Sequence, residues 1–540
     1  MRVRVFTLTA TTMLASGLAA QITLGHLTHV VQTGQGLVRG QTDGSVDRFM
    51  GLPYAVPPVG DLRWKPAAAA PGWHGIREAI RPASECTQAA GDRLGRPRIA
   101  GSEDCLYLNV YRPANTHPGP MLPVLIFIHG GSNQRGTGSG YDPSEIVARE
   151  GIVAVTINYR LNVFGFLALP SLDAEAGEPS SGNYGLLDQQ AAFRWVQANI
   201  SAFGGDPHRV TIDGESAGGI DVCANLVSPL AAGLFDKAIM ESMYCPAATH
   251  NEALGTGAPV AAALGCTNAS TAAACMRDKT ASDLLKAAGP LSIAPGSGAG
   301  FNASPNYGNT VLPLEPAVAL RSGKWNQSAI LIGSNHDESS LFLVLGLVAR
   351  WVKLPLSDDA YQQVVSARYG SFAPELLQEY PTGRYASPFI AYTELATDGS
   401  PLGCAVSPLA QSFAALHRTF RYEFTDPDAP VPPALRLLSR GDSMQAYHGS
   451  ELQYLFRMDK LPGPQTAAQQ QLSAQMIQYW GNFVKTGNPN GAGLVEWPNY
   501  DADTHRLLSL QPGGNTVIDN FDLEHHCSFW ASAPADRSQQ

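Results

Sequence analysis

The chain has 540 residues, of which 44% are hydrophobic and 15% are charged. A chain of this length predicts roughly three domains of ordinary size. Its 36 basic and 46 acidic residues give a net charge of −10, and this acidic balance argues against nucleic acid and anionic membrane surfaces as partners.

The first twenty residues predict a secretory signal peptide. Arg2 and Arg4 precede an uncharged, mostly apolar run, Val5–Leu18, which Ala19 and Ala20 follow. A basic start, an apolar run and small residues near the cleavage point are typical of such peptides. Loss of the two arginines changes the balance to 34 basic and 46 acidic residues, or −12. No later stretch is apolar for long enough to span a bilayer, so we expect a secreted protein without stable membrane insertion.

Six apolar runs along the chain predict β-strands. They are Leu122–Ile128, Ile152–Asn158, Val210–Asp213, Lys237–Met240, Ile330–Ile332 and Phe420–Phe424. Helix-like stretches lie between them, such as Tyr184–Ala198 and Ala467–Lys485. This alternation predicts an α/β fold with a central, mostly parallel sheet flanked by helices. In sheets of this kind, functional sites lie at the carboxyl ends of the strands.

A Gly-x-Ser-x-Gly pattern spans residues 214–218, directly after the third predicted strand. A serine between two glycines at a strand-to-helix junction is typical of a nucleophile elbow, a turn so tight that its flanks require glycine. Five common residues are a weak signal alone, because such a pattern also arises by chance. Ser216 becomes a candidate nucleophile only if partners for it exist elsewhere.

Candidate partners occur downstream in the order expected for such a site. A serine hydroxyl needs a base to take its proton and an acid to orient that base. His448, which Gly449 follows in a loop after the sixth predicted strand, is the favoured base among 13 histidines. Glu338 and Asp337 both follow the fifth strand, and the residues alone leave the choice of acid open.

An oxyanion needs preorganised N–H donors beside the nucleophile. The backbone N–H of Ala217, directly after Ser216, is one candidate. The other source is the loop after the first predicted strand, residues 128–132 (Ile-His-Gly-Gly-Ser). His-Gly-Gly alone would predict an ordinary turn, but its place after a strand and upstream of the elbow favours a donor loop.

With these residues in place, the sequence resembles the type-B carboxylesterases, the family that includes cholinesterases and fungal lipases. The resemblance extends over nearly the whole chain after the signal peptide. Its motifs lie in residues 51–64, 102–109, 182–189, 203–207 and 210–219. The resemblance implies an α/β-hydrolase fold with large loop insertions over an active-site gorge. It further implies one domain, residues 21–540, of a fungal-type secreted member.

The resemblance also assigns site residues. It implies Ser216 as nucleophile, Glu338 as acid and His448 as base, with no cofactor and no metal. The backbone N–H groups of Gly131, Ser132 and Ala217 would form the oxyanion hole, and Glu215 and Ser242 would support the site. The chain departs from the family pattern at Ser132, where a third glycine is usual, and at Asn133, where an aromatic residue is usual.

Eight cysteines in an exported chain predict disulfide bonds. None shows metal-ligand spacing with nearby histidines, so zinc is not expected. The resemblance implies three pairs: Cys86–Cys105, Cys266–Cys275 and Cys404–Cys527. It leaves Cys223 and Cys245 either paired or as free thiols.

Four N-x-S sequons predict possible glycosylation. Asn268, Asn302 and Asn326 are expected at the surface. Asn199 lies at the end of a predicted helix and is the least favoured.

The loop expected to cover the gorge, residues 87–104, indicates the substrate class. It contains no aromatic side chain to bind a quaternary ammonium group, so acetylcholine is not expected. It is short and carries Arg93, Arg96 and Arg98, which disfavours the apolar flap of a lipase. We therefore expect a serine carboxylesterase whose partner is a small or medium ester. The alternatives are a lipase or sterol esterase on long-chain esters, or a non-catalytic binding protein of the same fold. No oligomeric state follows from the sequence.

Overall fold

The computed structural model describes residues 26–91, 97–114, 116, 120–245, 248–289, 300–346, 354–458 and 465–533. The predicted signal peptide, Arg93 and Arg96 lie outside these residues. Twelve strands of the described chain form one large sheet, and we label them β1–β12 in chain order. They are His26–Leu27, Gln41–Thr42, Val46–Pro53, Tyr107–Pro113, Leu122–Ile128, Val153–Ile157, Gly205–Glu215, Lys237–Glu241, Ala329–Asn335, Thr419–Phe424, Leu507–Leu510 and Thr516–Ile518.

The order across the sheet is β1-β2-β3-β4-β6-β5-β7-β8-β9-β10-β11-β12. Neighbours from β6 to β11 in this order are parallel, whereas β1–β4 and β12 pair antiparallel at the two edges. After β5 the chain forms β6, which lies on one side of β5 in the sheet, and then β7, which lies on the other side of β5. A crevice opens at the carboxyl ends where the strand order reverses in this way, and sites form there.

Smaller sheets and helices surround the main sheet. The additional strands are Val31–Thr33, Gly36–Arg39, Ile76–Glu78, Gln88–Gly91, Pro97–Ala100, Tyr141–Asp142, Ala248–Thr249, Asn306–Tyr307 and Arg457–Met458. The 3₁₀ helices are Gly60–Leu62, Gly138–Gly140, Ile200–Phe203, Pro229–Ala231, Gly370–Phe372, Thr382–Arg384 and Glu451–Tyr454.

The α-helices of the described chain are labelled α1–α18 in chain order. They are Ser144–Glu150, Asn162–Phe166, Pro170–Ala176, Tyr184–Asn199, Ala217–Val227, His250–Ala263, Ala272–Arg277, Ala281–Ala288, Pro316–Arg321, Ser339–Val344, Asp358–Tyr369, Ala373–Glu379, Pro388–Asp398, Val406–Ala414, Pro433–Ser439, Ala467–Thr486, Phe521–Glu524 and Cys527–Ala531. None of them combines the length and the apolar character that a bilayer crossing requires.

Two hydrophobic cores lie on opposite faces of the sheet. Along β5, Val124, Ile126 and Ile128 pack into one core, whereas Leu125 and Phe127 pack into the other. Because successive side chains of a strand point to opposite faces, a strand buried on both faces is apolar at most positions and does not alternate with polar residues. This requirement explains the continuous apolar runs by which the central strands were recognised.

The fold class predicted from the sequence is confirmed. All six predicted strands are present as β5–β10, and the two predicted helical stretches are α4 and α16. The sequence analysis missed β1–β4, β11 and β12. The first two of these are too short for a recognisable pattern, and β12 is partly exposed on both faces.

Disulfide bonds join four pairs of cysteines in the described chain. The pairs are Cys86–Cys105, Cys223–Cys245, Cys266–Cys275 and Cys404–Cys527. The structure thus contains the three pairs that the resemblance implied, and the two cysteines left open form the fourth. The last pair is separated by 123 positions in sequence and attaches α18 to the segment before α14. Closing so long a loop restricts the unfolded chain strongly.

A buried ion pair joins the segment after β6 to α4. Arg160 Nε and Nη2 donate to the two carboxylate oxygens of Asp188 at 2.8 and 2.7 Å. The backbone N–H of Arg160 donates to the same carboxylate at 3.0 Å. The two side chains are 3% and 0% exposed. Asp188 belongs to the segment 182–189 that carries the family resemblance, so this part of the motif stabilises the fold.

Replacing Asp188 by Ala should therefore lower the free energy of unfolding by about 3–5 kcal/mol, because it leaves a buried guanidinium uncompensated. Urea denaturation measures the change. The control is Glu145→Ala, which breaks the exposed pair with Arg149 and should cost less than about 1 kcal/mol. Equal losses in the two variants would contradict a special contribution from the buried pair.

Candidate active site

Ser216 occupies the turn between β7 and α5 with a φ of 57° and a ψ of −123°. A positive φ is strained for a residue that carries a side chain. A Cβ on Gly214 would lie 2.4 Å from the carbonyl carbon of Gly218. A Cβ on Gly218 would lie 2.0 Å from the carbonyl oxygen of Ile128. Neither position has room for a side chain, so the two glycines of the elbow are required by packing.

His448 lies between Ser216 and Glu338. Its Nε2 is 2.8 Å from Ser216 Oγ, and its Nδ1 is 2.5 Å from Glu338 Oε2. The imidazole is 8% exposed and the carboxylate is fully buried. The three residues follow β7, β9 and β10, and parallel strands bring them to the same edge of the sheet. At these distances an imidazole can accept a hydroxyl proton at one nitrogen while the other donates to the carboxylate.

The acid that contacts the imidazole is Glu338, and its neighbour Asp337 has a different contact. Glu338 Oε1 accepts the backbone N–H of Asn335 at 2.7 Å. Asp337 Oδ2 accepts the backbone N–H of Ala446 at 3.2 Å, two residues before His448. Asp337 therefore fixes the loop that carries the histidine, and it does not touch the ring.

Two further residues that the sequence analysis did not identify hold the same loop. The side-chain amide of Asn335, the last residue of β9, donates to the Tyr447 carbonyl at 2.9 Å and also to the Glu451 carboxylate. Both Asn335 and Glu451 are buried. A polar residue at the carboxyl end of a parallel strand was the available signal for Asn335.

The predicted oxyanion loop is in direct contact with the elbow. A Cβ on Gly130 would lie 3.0 Å from Ser216 Cβ. Gly131 and Ser132 have φ values of 102° and 58°. Within the described residues, the backbone N–H groups of Gly131, Ser132 and Ala217 have no hydrogen-bond acceptor. Unpaired N–H groups beside a nucleophile are the arrangement that stabilises a developing oxyanion.

Asn133, where the family usually has an aromatic residue, is 1% exposed, and both ends of its side-chain amide form hydrogen bonds. Its Nδ2 donates to Asp221 Oδ1 at 3.1 Å. The Tyr159 hydroxyl lies 2.9 Å from Asn133 Oδ1 and 2.7 Å from the His129 carbonyl, and it can donate to either. This polar network holds the oxyanion loop in place on the side formed by Asp221 and Tyr159. The sequence gave no signal of it, because its members are far apart along the chain.

Buried carboxyl groups surround the imidazole. Glu215 Oε1 lies 3.2 Å from His448 Nε2, and burial raises the pKa of Glu215 to about 7 although His448 opposes the shift. Burial also raises the pKa of Glu451 well above its usual range. Burial alone lowers the pKa of His448, but the negative charges of Glu215 and Glu338 outweigh it and raise that pKa to about 9.

Of the predicted supporting residues, Glu215 lies beside the imidazole, whereas Ser242 does not contact it. Ser242 is 1% exposed, and its backbone N–H donates to Gly333 at 2.8 Å. Its hydroxyl has no hydrogen-bond partner in the described part of the chain, so a supporting role for Ser242 stays a prediction. The Phe342 ring centroid lies 4.8 Å from that of His448 and forms a wall beside the base.

The sequons differ in exposure. Asn268 is exposed and Asn302 is half-buried. Asn326 is also half-buried, and its Nδ2 donates to the carbonyls of Asn225 and Ser228, both at 2.9 Å. A glycan on this nitrogen would replace one of its two hydrogens and so break one of these hydrogen bonds. Asn326 is therefore less accessible than Asn268, and its glycosylation stays a prediction.

Comparison with known proteins identifies the family. The model of the carboxylesterase family matches residues 27–530. The chain is 33% identical to cocaine esterase of Oryctolagus cuniculus over 539 residues, which cover 95% of this chain and 96% of that protein. The chain belongs to the carboxylesterase family. This carboxylesterase is also 36% identical to para-nitrobenzyl esterase of Bacillus subtilis (strain 168) over 502 residues, which cover 90% and 95% of the two chains.

Solved structures agree with this assignment. A PNB esterase structure matches with a TM-score of 0.73 and 33% identity, and the match covers 92% of this chain and 98% of that one. The carboxylesterase therefore has the α/β-hydrolase fold, and the predicted family resemblance is confirmed. Family membership and the named esterase relatives make this chain a carboxylic-ester hydrolase.

Replacing Glu215 by Gln should move the acid limb of the pH–activity profile to lower pH. The neutral imidazole is the form that can accept a proton, so kcat/KM falls as pH decreases through the pKa of His448. Removal of a negative charge 3.2 Å from Nε2 lowers that pKa. The profile is measured with a soluble p-nitrophenyl ester.

The control for this experiment is Glu145→Gln, which removes an exposed carboxylate and should leave the acid limb in place. An unchanged limb in Glu215→Gln would show that Glu215 does not set the basicity of His448.

Proposed function

We propose that the protein is a secreted serine carboxylesterase that works through an acyl-enzyme on Ser216. The observation that carries this proposal is the position of His448, 2.8 Å from Ser216 Oγ and 2.5 Å from Glu338 Oε2. The family supplies ester hydrolysis as the reaction. The geometry supports Ser216 as nucleophile, His448 as general base and Glu338 as the acid that orients it.

In the first half of the reaction, Ser216 Oγ attacks the carbonyl carbon of the ester while His448 Nε2 accepts its proton. The carbonyl oxygen becomes an oxyanion, which the N–H groups of Gly131, Ser132 and Ala217 stabilise. One such donor typically contributes about 3 kcal/mol to the transition state. Because the donor at Ser132 is a backbone group, the side chain that replaces the usual glycine does not remove it. His448 then protonates the departing alcohol.

In the second half, water attacks the acyl-enzyme and His448 takes a proton from it. The proton returns to Ser216 Oγ as the carboxylic acid leaves. Glu338 stabilises the imidazolium in both halves and keeps Nδ1 protonated when the ring is neutral. Ser216 and His448 account for every proton transfer with the substrate and water in this scheme, without a cofactor.

We also propose export of the enzyme after removal of residues 1–20. Disulfide bonds form and persist in oxidising compartments, and the four in this chain are compatible with a secreted protein. Asn268 is the favoured glycosylation site because it is exposed. A single α/β-hydrolase domain over residues 21–540 is supported by the family match to residues 27–530. A fungal-type member stays a prediction.

Replacing Ser216 by Ala should lower kcat by a factor of about 10⁴ or more, because among the residues that the structure describes no other hydroxyl contacts His448. Glu338→Gln should lower it by about 10³–10⁴, since an amide cannot stabilise the imidazolium. Turnover of p-nitrophenyl acetate measures both changes. Ser532→Ala, at an exposed position, is the control that should keep full activity.

A covalent organophosphate adduct located by peptide mass spectrometry should map to Ser216. Full turnover in Ser216→Ala would overturn the proposed mechanism. Absence of both turnover and adduct in the unaltered protein would favour the non-catalytic binding protein.

The covering loop supports soluble esters over lipid droplets as substrates. Its strands Gln88–Gly91 and Pro97–Ala100 form an antiparallel hairpin. Gln88 Nε2 donates to the Gly136 carbonyl at 2.9 Å, and the Gly136 N–H donates to Gln88 Oε1 at 3.0 Å. These reciprocal hydrogen bonds attach the hairpin to the segment that follows the oxyanion loop. A flap that opens on an oil surface would have to break them.

We therefore expect kcat/KM to be highest for short and medium acyl chains in a series of p-nitrophenyl esters from acetyl to palmitoyl. Rates should not increase when the ester exceeds its solubility limit. An increase at that limit, or a maximum at palmitoyl, would favour the lipase or sterol esterase instead.

A further inference from the structure

A second group of histidines and carboxylates lies beside the triad and has no part in the proposed reaction. His336 and Asp337 follow β9 directly, and Glu394 projects from α13. His336 Nδ1 lies 3.4 Å from Asp337 Oδ2 and 3.6 Å from Glu394 Oε1. One possible ligand atom from each of the three side chains lies within 4.8 Å of one from each of the other two. The three side chains thus converge on a common point.

The spacing around His336 differs from that of a directly hydrogen-bonded histidine. His525, whose ring centroid is 4.8 Å from that of His336, provides the contrast within the same cluster. Its Nδ1 is 2.5 Å from Asp398 Oδ1, and its Nε2 is 2.7 Å from Glu423 Oε1. These are the short distances of charge-assisted hydrogen bonds. Both carboxylates of His336 lie farther from its Nδ1 than this.

The distances from His336 Nδ1 to the two carboxylate oxygens are those expected between two ligand atoms of one metal ion. Zinc binds imidazole nitrogen and carboxylate oxygen at about 2.0–2.2 Å, so two ligand atoms of a tetrahedral site lie about 3.4 Å apart. The distances of 3.4 and 3.6 Å from His336 Nδ1 match this value. His336 Nδ1 is therefore separated from each carboxylate oxygen by a distance that one bound ion could bridge.

The burial of the carboxylates is a second, independent observation. Asp337 is 3% exposed, and its Oδ1 has no hydrogen-bond partner among the residues that the structure describes. The Glu394 side chain is 15% exposed. Buried acids of this kind are stable when they are paired or coordinate a cation. The His336 side chain is 26% exposed, which leaves a route from solvent.

We propose that His336, Asp337 and Glu394 bind one divalent first-row transition-metal ion, with Zn²⁺ as the reference ion. One imidazole nitrogen with two carboxylate oxygens suits zinc, whereas Ca²⁺ and Mg²⁺ are held by oxygen atoms. Three protein ligands leave a fourth tetrahedral position for water. His525 uses both ring nitrogens for Asp398 and Glu423, so it packs beside the site and is not a ligand.

The position of the site indicates what a bound ion would do. It would join the loop after β9 to α13, and Asp337 already accepts the N–H of Ala446 near His448. Glu338 directly follows Asp337 in sequence. The ion would therefore stabilise the two loops that carry the acid and the base, and it would touch neither the substrate nor the nucleophile.

The test uses the full-length enzyme without a histidine tag, stripped with EDTA and dialysed against Zn²⁺. Elemental analysis should find one zinc per chain, and isothermal titration with Zn²⁺ should show saturable binding. Zinc should also raise the midpoint of thermal unfolding. In Glu394→Gln, zinc affinity should fall by at least about tenfold, since even changes next to metal ligands typically cost ten- to a hundredfold, and the thermal shift should disappear.

The matched control is Glu379→Gln. It removes a carboxylate that lies 2.5 Å from His526 Nδ1. This histidine contacts one carboxylate, whereas His336 lies near two. Glu379→Gln should therefore keep the zinc response. His336→Gln is the second ligand variant, chosen because the side chain is partly exposed and the substitution is less demanding on the fold. Circular dichroism and a cooperative urea-unfolding transition verify that each variant is folded.

Stoichiometric zinc in the unaltered enzyme and in Glu379→Gln, with loss in both ligand variants, supports the site. Absence of saturable binding in the unaltered enzyme overturns it, and His336 is then a charged partner of two acids. Equal binding in the ligand variants also overturns it. Both readouts are independent of ester hydrolysis, so failure of the proposed catalytic mechanism would not alter them.

Discussion

The close approach of the elbow to the loop after β5 is the constraint on which the site depends. The backbone at Gly218 lies so near the Ile128 carbonyl that a Cβ would be 2.0 Å from it. This contact is possible because β5 and β7 are parallel neighbours and Ile128 pairs with Gly214, so both strands end at the same level. The strained φ of Ser216 is held by this packing, and the donor loop is placed beside the nucleophile by the same contact.

The surroundings of the base follow from that geometry. Strand ends that meet at one edge also bring their acidic residues together. Burial raises the pKa of Asp213, Glu241 and Glu451 well above the usual range, which favours their neutral acid forms. Trp480 Nε1 donates to Glu241 at 2.8 Å and fixes one of them. Glu338 and Glu215 are the two carboxyl groups in contact with the ring.

The sequence predicted the features that depend on local patterns. Strands buried on both faces are rich in apolar residues, so β5–β10 were recognisable although β10 also buries Arg421 and Glu423. A serine between glycines after a strand indicated the elbow. Features that depend on contacts between distant segments were missed. Asn335 reaches Glu451, and Asn133 reaches Asp221, through hydrogen bonds that no sequence spacing predicts. The cluster of His336, Asp337 and Glu394 was missed for the same reason, because Glu394 is distant in sequence from the other two. Metal-ligand spacing was considered only for the cysteines.

The choice between Glu338 and Asp337 could not be made from the local sequence. Glu338 and Asp337 follow the same strand and have the same chemistry, so their order along the chain could not separate them. In the structure they point to different partners: Glu338 contacts the imidazole, and Asp337 contacts the backbone of Ala446. One loop thus supplies both a group in contact with the base and a group that positions the loop bearing the base.

The network behind the oxyanion loop has an evolutionary consequence. A single change of Asn133 to the aromatic residue usual in the family would remove the donor to Asp221 Oδ1 in a buried site, at a cost of about 1–3 kcal/mol for the unpaired oxygen. The Tyr159 hydroxyl would keep the His129 carbonyl as its acceptor. Position 133 is therefore coupled in energy to position 221, and an aromatic residue at 133 is accommodated best when Asp221 is replaced at the same time.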